Sequence, residues 1–142
     1  ADSLYASGEY RASALLFAEA FESTIDSIEH RARLAHKTGT ALLRAGDRVD
    51  GITWFQKAVD LFGQAGNWDN HFLTKGKIAN IHDDNGDFGL AIELNAEVVA
   101  HFKQAADSVY AAKAIHNQAL HYYHGGKVQQ AISLLSESIG WV

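Results

Sequence analysis

The stretch Asn85-Gly86-Asp87-Phe88-Gly89-Leu90-Ala91-Ile92 decides the fold of this chain. It reads as the end of one helix, a tight turn and the start of the next. Gly86 supplies a left-handed backbone position free of a Cβ clash. Asp87 is placed to cap the following helix, and Phe88, Ala91 and Ile92 open that helix's apolar face. The same punctuation stands at Ser7-Gly8-Glu9, Ala45-Gly46-Asp47 and Gly125-Gly126-Lys127. Gly8, Gly46, Gly86 and Gly126 follow one another at 38, 40 and 40 residues. A period near forty marks an array of helical repeats.

Working outward from the turns, the segments between them carry helical periodicity. Tyr10, Ala14, Phe17, Ala20 and Phe21 form one apolar stripe at spacings of three and four. Leu34, Ala35, Gly39, Leu42 and Leu43 form a second, and Ile52, Phe55, Ala58, Val59 and Phe62 a third. Ser23, Thr24, Asp26 and Ser27 mark a break, with Asp26 or Ser27 as helix cap. Gly63 to Asn67 reads as a loop with two glycines, and Ala106-Asp107-Ser108 as a further break. One domain of repeats is expected: a partial repeat over 1–27, then repeats over 28–67, 68–107 and 108–142. Residue types recur in phase. Ser13, Gly51, Ala91 and Ala131 are all small, as are Ala1, Gly39, Ala79 and Ala119 in the preceding helices. Ala20, Ala58, Val98 and Ser138 form a third column, and Phe17, Phe55, Asn95 and Leu135 lie between the small ones. Small residues at fixed points let two helices approach, and the large neighbour fills the groove.

Composition narrows the function. The chain has 142 residues, 47% of them hydrophobic, enough for a real core. Its formal net charge of −5 argues against direct nucleic-acid binding, which needs a basic surface to displace counterions. The absence of cysteine excludes disulfides and thiolate metal sites. No apolar run approaches a membrane span and no signal peptide stands at the N-terminus, so a cytoplasmic location with no membrane partner is expected. The absence of proline fits a nearly all-helical chain. Without an initial methionine, and starting halfway through a repeat, the sequence is expected to be a piece of a longer array. Ile139, Trp141 and Val142 leave an apolar end that further repeats, or a second copy in a homodimer, would cover.

These in-phase positions are the small residue of the first helix, the glycine turn, then small, large and small in the second. With them the chain resembles the tetratricopeptide repeat family over essentially its whole length. It departs from the family in lacking an early tryptophan in the first helix and a proline at the repeat end. Asn95 replaces a large aromatic, and the period is nearer forty than thirty-four. The longer period is similar to that of relatives found in kinesin light chains, cell-polarity adaptors and bacterial regulators. The resemblance implies an all-α, right-handed solenoid of antiparallel helix pairs, with first helices lining a concave groove and second helices facing outward.

Seven of the twelve lysines and arginines fall on first helices (Arg31, Arg33, Lys37, Arg44, Lys75, Lys77 and Lys113), whereas most acids fall on second helices. Family geometry points Arg33, His36, Lys37, Thr40 and Arg44 into the groove, then Lys77, Asn80 and Asp84, then Lys113, His116, Asn117 and His124. Lys77, Asn80, Lys113 and Asn117 are similar in part to the carboxylate clamp with which some members grip a C-terminal aspartate. Eight histidines are present; His121 and His124 share one helix face, and His82 falls in a column of packing residues beside Leu42 and Tyr122. Metal ligation is not expected from this arrangement, and no cofactor is implied. No phosphate loop, nucleophile elbow or zincin motif occurs, so no enzyme activity is expected. The Glu93 and Glu97 pair reads as a solvated stripe.

The expected function is a non-catalytic protein–protein interaction module holding an acidic partner peptide in the groove. A peptide-sensing regulatory domain of a larger bacterial regulator and a self-assembling scaffold segment are the alternatives. The repeat register itself is testable. Ala91→Leu should destabilise the fold by about 1–3 kcal/mol through overpacking. A thermal melt matching the parent would show the register to be misplaced.

Overall fold

The computed structural model describes residues 1–25 and 27–141. Asp26, one of the two cap candidates, and Val142 lie outside the described residues. Eight helices and no strand occur among the described residues: α1 (Asp2–Ala6), α2 (Tyr10–Ser23), α3 (Ile28–Arg44), α4 (Arg48–Gln64), α5 (Trp68–Asp84), α6 (Phe88–Gln104), α7 (Ser108–His124) and α8 (Val128–Ile139). None of these helices is long and apolar enough to cross a membrane. The fold is all-α, built of antiparallel helix pairs.

The spacing is more regular than the sequence suggests. Helices α3 to α7 each have 17 residues. Each is followed by three connecting residues, whether the turn lies inside a repeat or between repeats. The stop is the same each time. At Gly86 (φ 85°), the Gly86 N–H donates to the Asp83 carbonyl and the Asp87 N–H to the His82 carbonyl. This is the paired closure of a helix end by a left-handed residue. It recurs at Gly8, Gly46, Gly66, Ala106 and Gly126. Ala106 (φ 55°) is the sole non-glycine with positive φ among the described residues.

Two local expectations need correction. Helix α4 runs through Gly63 to Gln64, so Gly63 is helical and not part of a loop. Its missing Cβ makes room for His71, whose Nδ1 would lie 3.2 Å from a methyl there. Asp87 does not cap α6 with its side chain. Ser27, Asp47 and Asp107 do cap, each side chain accepting from the backbone N–H three residues on, at ψ of 118°, 85° and 92°; ψ at Asp87 is 65°.

The chain divides into two compact units, Ala1–Thr74 and Lys75–Val142. In the first, α2 and α4 pack on α3 around Ala14, Phe17, Phe21, Ala32, Leu34, Ala35, Ala41, Ala58 and Phe62. Glycine is required at position 39, because a Cβ there would lie 2.8 Å from the buried Phe55 ring. Phe21 meets Trp54 edge-on at 5.1 Å, and Lys57 caps the Trp54 face at 4.0 Å. In the second unit, α7 packs against α6 and α8. Ala91, Val98, Phe102, Ala111, Ile115, Ala119 and Ala131 are buried. Asn95, in the column of Phe55, is also buried. Its Nδ2 donates to the Ala114 carbonyl (2.9 Å) and to Gln118 Oε1 (3.0 Å), while Gln118 Nε2 donates to the Ile92 carbonyl (2.9 Å). Both amide donors of Asn95 are therefore engaged across the α6–α7 junction.

The turns make a direct test. Nothing lies within 4 Å of a Cβ built at Gly86, so any penalty there is one of backbone conformation. Gly86→Ala should destabilise by about 1 kcal/mol, and Ala106→Gly should stabilise by a similar amount. Chemical denaturation of the two variants should move in opposite directions. Shifts of the same sign would refute this account of the turn.

Candidate functional site

On α3, Arg33, Lys37, Thr40 and Arg44 are spaced at four, three and four residues and form one line, with His36 at its side. Arg33, Lys37 and Arg44 are exposed; His36 and Thr40 are half-buried. The line is held by contacts within the first unit. Arg33 pairs with Glu29 at 2.9 Å one turn earlier, and Glu29 also accepts from Asn67 Nδ2 at 2.8 Å. Lys37 reaches Asp2 at 3.4 Å and lies over the Phe17 ring. Arg44 lies over Tyr5 at 5.8 Å, Thr40 Oγ1 donates to the His36 carbonyl, and His36 tilts against Phe55. The basic residues of α3 are thus steadied by exposed acids and ring faces.

In the second unit, Lys77, Asn80 and Asp84 are exposed along one face of α5. On α7, Lys113 and His116 are exposed and Asn117 is half-buried; Lys113 lies over Tyr110 at 5.5 Å. The α7 surface also exposes Val109, Leu120 and Tyr123, which the charge pattern did not bring forward.

His124 stands differently from its groove companions. Its Nδ1 donates to both oxygens of Asp83, at 2.8 and 3.0 Å, while His121 Nδ1 donates to Asp83 Oδ2 at 2.6 Å. The Asp83 side chain is 9% exposed and that of His121 3%. Burial pushes the Asp83 carboxyl up, but the two imidazole hydrogen bonds and their charge interaction outweigh it and hold the group below its ordinary value. An ionised carboxylate only accepts, so both histidines present Nδ1–H to it. The His121 Nε2 is buried without a partner, as is the His82 Nδ1. Asp83 thereby ties the C-terminal turn of α5 to that of α7.

Sequence reading found His121 and His124 on one face but not the carboxylate that joins them. Asp83 lies 38 and 41 residues before them, so the forty-residue period, applied to the last turns of successive first helices, is the signal that finds it. Among the described residues no group of three His, Asp or Glu side chains is arranged to hold a metal ion. Glu93 and Glu97 are exposed, and Glu97 meets Lys75 at 3.5 Å.

No family model matches the sequence, and no curated protein does. Solved structures do. The nearly identical TPR-like repeats of a Podosopora anserina protein assigned to the kinesin light chains superpose with a TM-score of 0.81 at 18% identity, over 98% of this chain and 70% of that one. A single-substitution variant of those repeats gives 0.82 at 18% identity, over 98% and 69%. BtubC (BKLC) from P. vanneervenii gives 0.85 at 16% identity, over 99% of this chain and 58% of that one. The fold is that of TPR-like helical repeats, a solenoid class.

The Asp83 tie has a pH signature. A carboxylate held below its ordinary value contributes stability that is present above about pH 4 and is lost as the pH falls through its folded-state value. Asp83→Asn should therefore lower stability at pH 7 by about 1–3 kcal/mol. The gap between parent and variant should narrow as the pH drops below about 4. A gap that stays constant from pH 6 to pH 2.5 would show that the tie carries no charge dependence.

Proposed function

We propose that this chain is a non-catalytic protein-interaction module, and that the exposed polar face of its first helices takes a partner peptide bearing acidic side chains. The observation that carries this reading is the line Arg33, Lys37 and Arg44 on α3, exposed and held by solvent-accessible pairs and ring faces. Exposed pairs contribute about 0–1 kcal/mol each, so an incoming carboxylate can replace Glu29 or Asp2 at small cost. Arginine then offers a bidentate, charge-assisted pair that water competes with poorly. Asn80 and Asn117 carry both a donor and an acceptor, suited to the amides of an extended peptide. The TPR-like fold of the neighbouring structures supports a binding or scaffold role by analogy.

One observation supports the non-catalytic part of the reading. The tightly joined titratable cluster, Asp83 with His121 and His124, has its carboxylate engaged on both oxygens and its central imidazole buried. That arrangement suits the bracing of two helices.

Arg33→Glu, Lys37→Glu and Lys77→Glu combined should weaken binding of acidic peptides by roughly tenfold or more, with far-UV circular dichroism unchanged. Parent binding, followed by fluorescence anisotropy with labelled acidic peptides, should weaken as salt rises from about 50 to about 500 mM. Binding that survives the triple reversal would remove the basic face from the account.

A further inference from the structure

Among the described residues, the position before the left-handed turn residue is held by Ser7, Ala45, Ala65, Asn85, Ala105 and Gly125. Of these, Asn85 alone has a side-chain carbonyl carbon, its amide Cγ, and a glycine nitrogen follows it. Bonding of that nitrogen to Cγ closes a five-membered ring. Glycine's missing Cβ leaves the nitrogen open to the approach. Asn85 and Gly86 are both exposed, and nothing lies within 4 Å of where a Cβ on Gly86 would stand.

The other asparagines are placed against this reaction. Asn67 stands at a turn, but its Oδ1 accepts from the Asn70 N–H, its Nδ2 donates to Glu29, and Trp68 follows it. Asn95 is buried, with Nδ2 on the Ala114 carbonyl and on Gln118. Asn70, Asn80 and Asn117 lie inside helices and precede His71, Ile81 and Gln118, whose side chains crowd the nitrogen. The turn around Asn85 also lacks a device that its neighbours have. Asp47, Asn67 and Asp107 each cap the next helix through a side-chain oxygen, whereas Asp87 makes no such bond. Attack on Cγ takes the Gly86 N–H away from the Asp83 carbonyl, a local opening at a helix end rather than an unfolding of the core.

We propose that Asn85-Gly86 is a self-modification site that unlocks the end of α5 as the protein ages. The Gly86 nitrogen gives up its proton and bonds to Asn85 Cγ. The Cγ–Nδ2 bond breaks, and ammonia leaves with that proton. Water then opens the cyclic imide at either carbonyl, giving an aspartyl or an isoaspartyl residue at position 85. Either product adds a carboxylate at the negative end of the α5 dipole, in a segment that already carries Asp83, Asp84 and Asp87. The isoaspartyl product also lengthens the main chain by one methylene carbon, so the closure of Gly86 and Asp87 onto the Asp83 and His82 carbonyls loses its register. Asp83 holds His121 and His124, so loss of the turn reaches the tie between α5 and α7. This chemistry does not depend on the peptide-binding reading.

Parent chain held for weeks at about pH 8 and about 37 °C should convert at position 85 roughly tenfold or more faster than at Asn67, Asn70, Asn80, Asn95 and Asn117. Peptide mapping by mass spectrometry, with an isoaspartyl-specific methyltransferase as reporter, reads the conversion. Asn85→Ala, which copies Ala45, Ala65 and Ala105 of the other turns, should abolish it while keeping the fold. Converted parent, separated from fresh parent by charge, should exchange its Gly86 and Asp87 amide hydrogens roughly tenfold or more faster. Asn85→Ala held under the same conditions should show no such change. An amide retained at position 85 throughout would overturn the proposal. Converted chains whose Gly86 and Asp87 amides exchange as slowly as in fresh parent would equally overturn it.

Discussion

Six times among the described residues, the N–H that follows a left-handed residue closes onto a carbonyl five residues back. This hydrogen bond stops one helix and, three residues later at most, lets the next begin in the opposite direction. Because it recurs every twenty residues from Gly46 to Gly126, the helices between have equal length. Equal length brings apolar columns of paired helices to the same height, as where Gly39 of α3 meets the Phe55 ring of α4. Helix packing depends on that alignment, and most helical stability comes from packing rather than propensity. The one turn made by alanine shows that closure, and not glycine as such, is the requirement: Ala106 takes the same conformation with the same two bonds.

Within this frame the repeats solve one packing problem in two ways. In the first unit a phenylalanine fills the groove, and the facing position must be Gly39 because the Phe55 ring occupies the space of a Cβ. In the second unit the groove residue is the smaller Asn95 and the position matching Gly39 is Ala79, fully buried. The smaller side chain brings a buried amide, which an apolar surrounding would penalise. Gln118 and the Ala114 carbonyl answer it, and Gln118 in turn satisfies the Ile92 carbonyl. A polar pair of this kind favours one register of α6 on α7, since a shifted helix would leave both amides unsatisfied.

The Asp83 cluster acts on the same helices at their far ends. By holding His121 and His124, Asp83 fixes the last turn of α7, whose outer surface carries Leu120, Tyr123 and the end of the polar face. The candidate binding surface of the second unit is therefore braced at that end by the hydrogen bonds of a largely buried carboxylate. On α3 the corresponding face is steadied by exposed pairs, which yield more readily to a ligand.

The all-helical class, the period and the small-large columns were legible in the residues themselves, because helix termination and helix contact are local. Gly86 with its copies, and Ser13, Gly51, Ala91 and Ala131, carry that information in residue type alone. The polar residues of the first helices could also be sorted by face, since helical spacing determines which side chains share a side. Tertiary structure decided what those side chains meet. That Asp83 gathers two histidines depends on how one helix end lies beside another, and 38 to 41 residues of sequence intervene. That Asp87 fails to cap while Asp47 and Asp107 succeed is invisible in three similar aspartates, because a cap forms only where the carboxylate reaches the N–H three residues on, a geometry that residue type does not set.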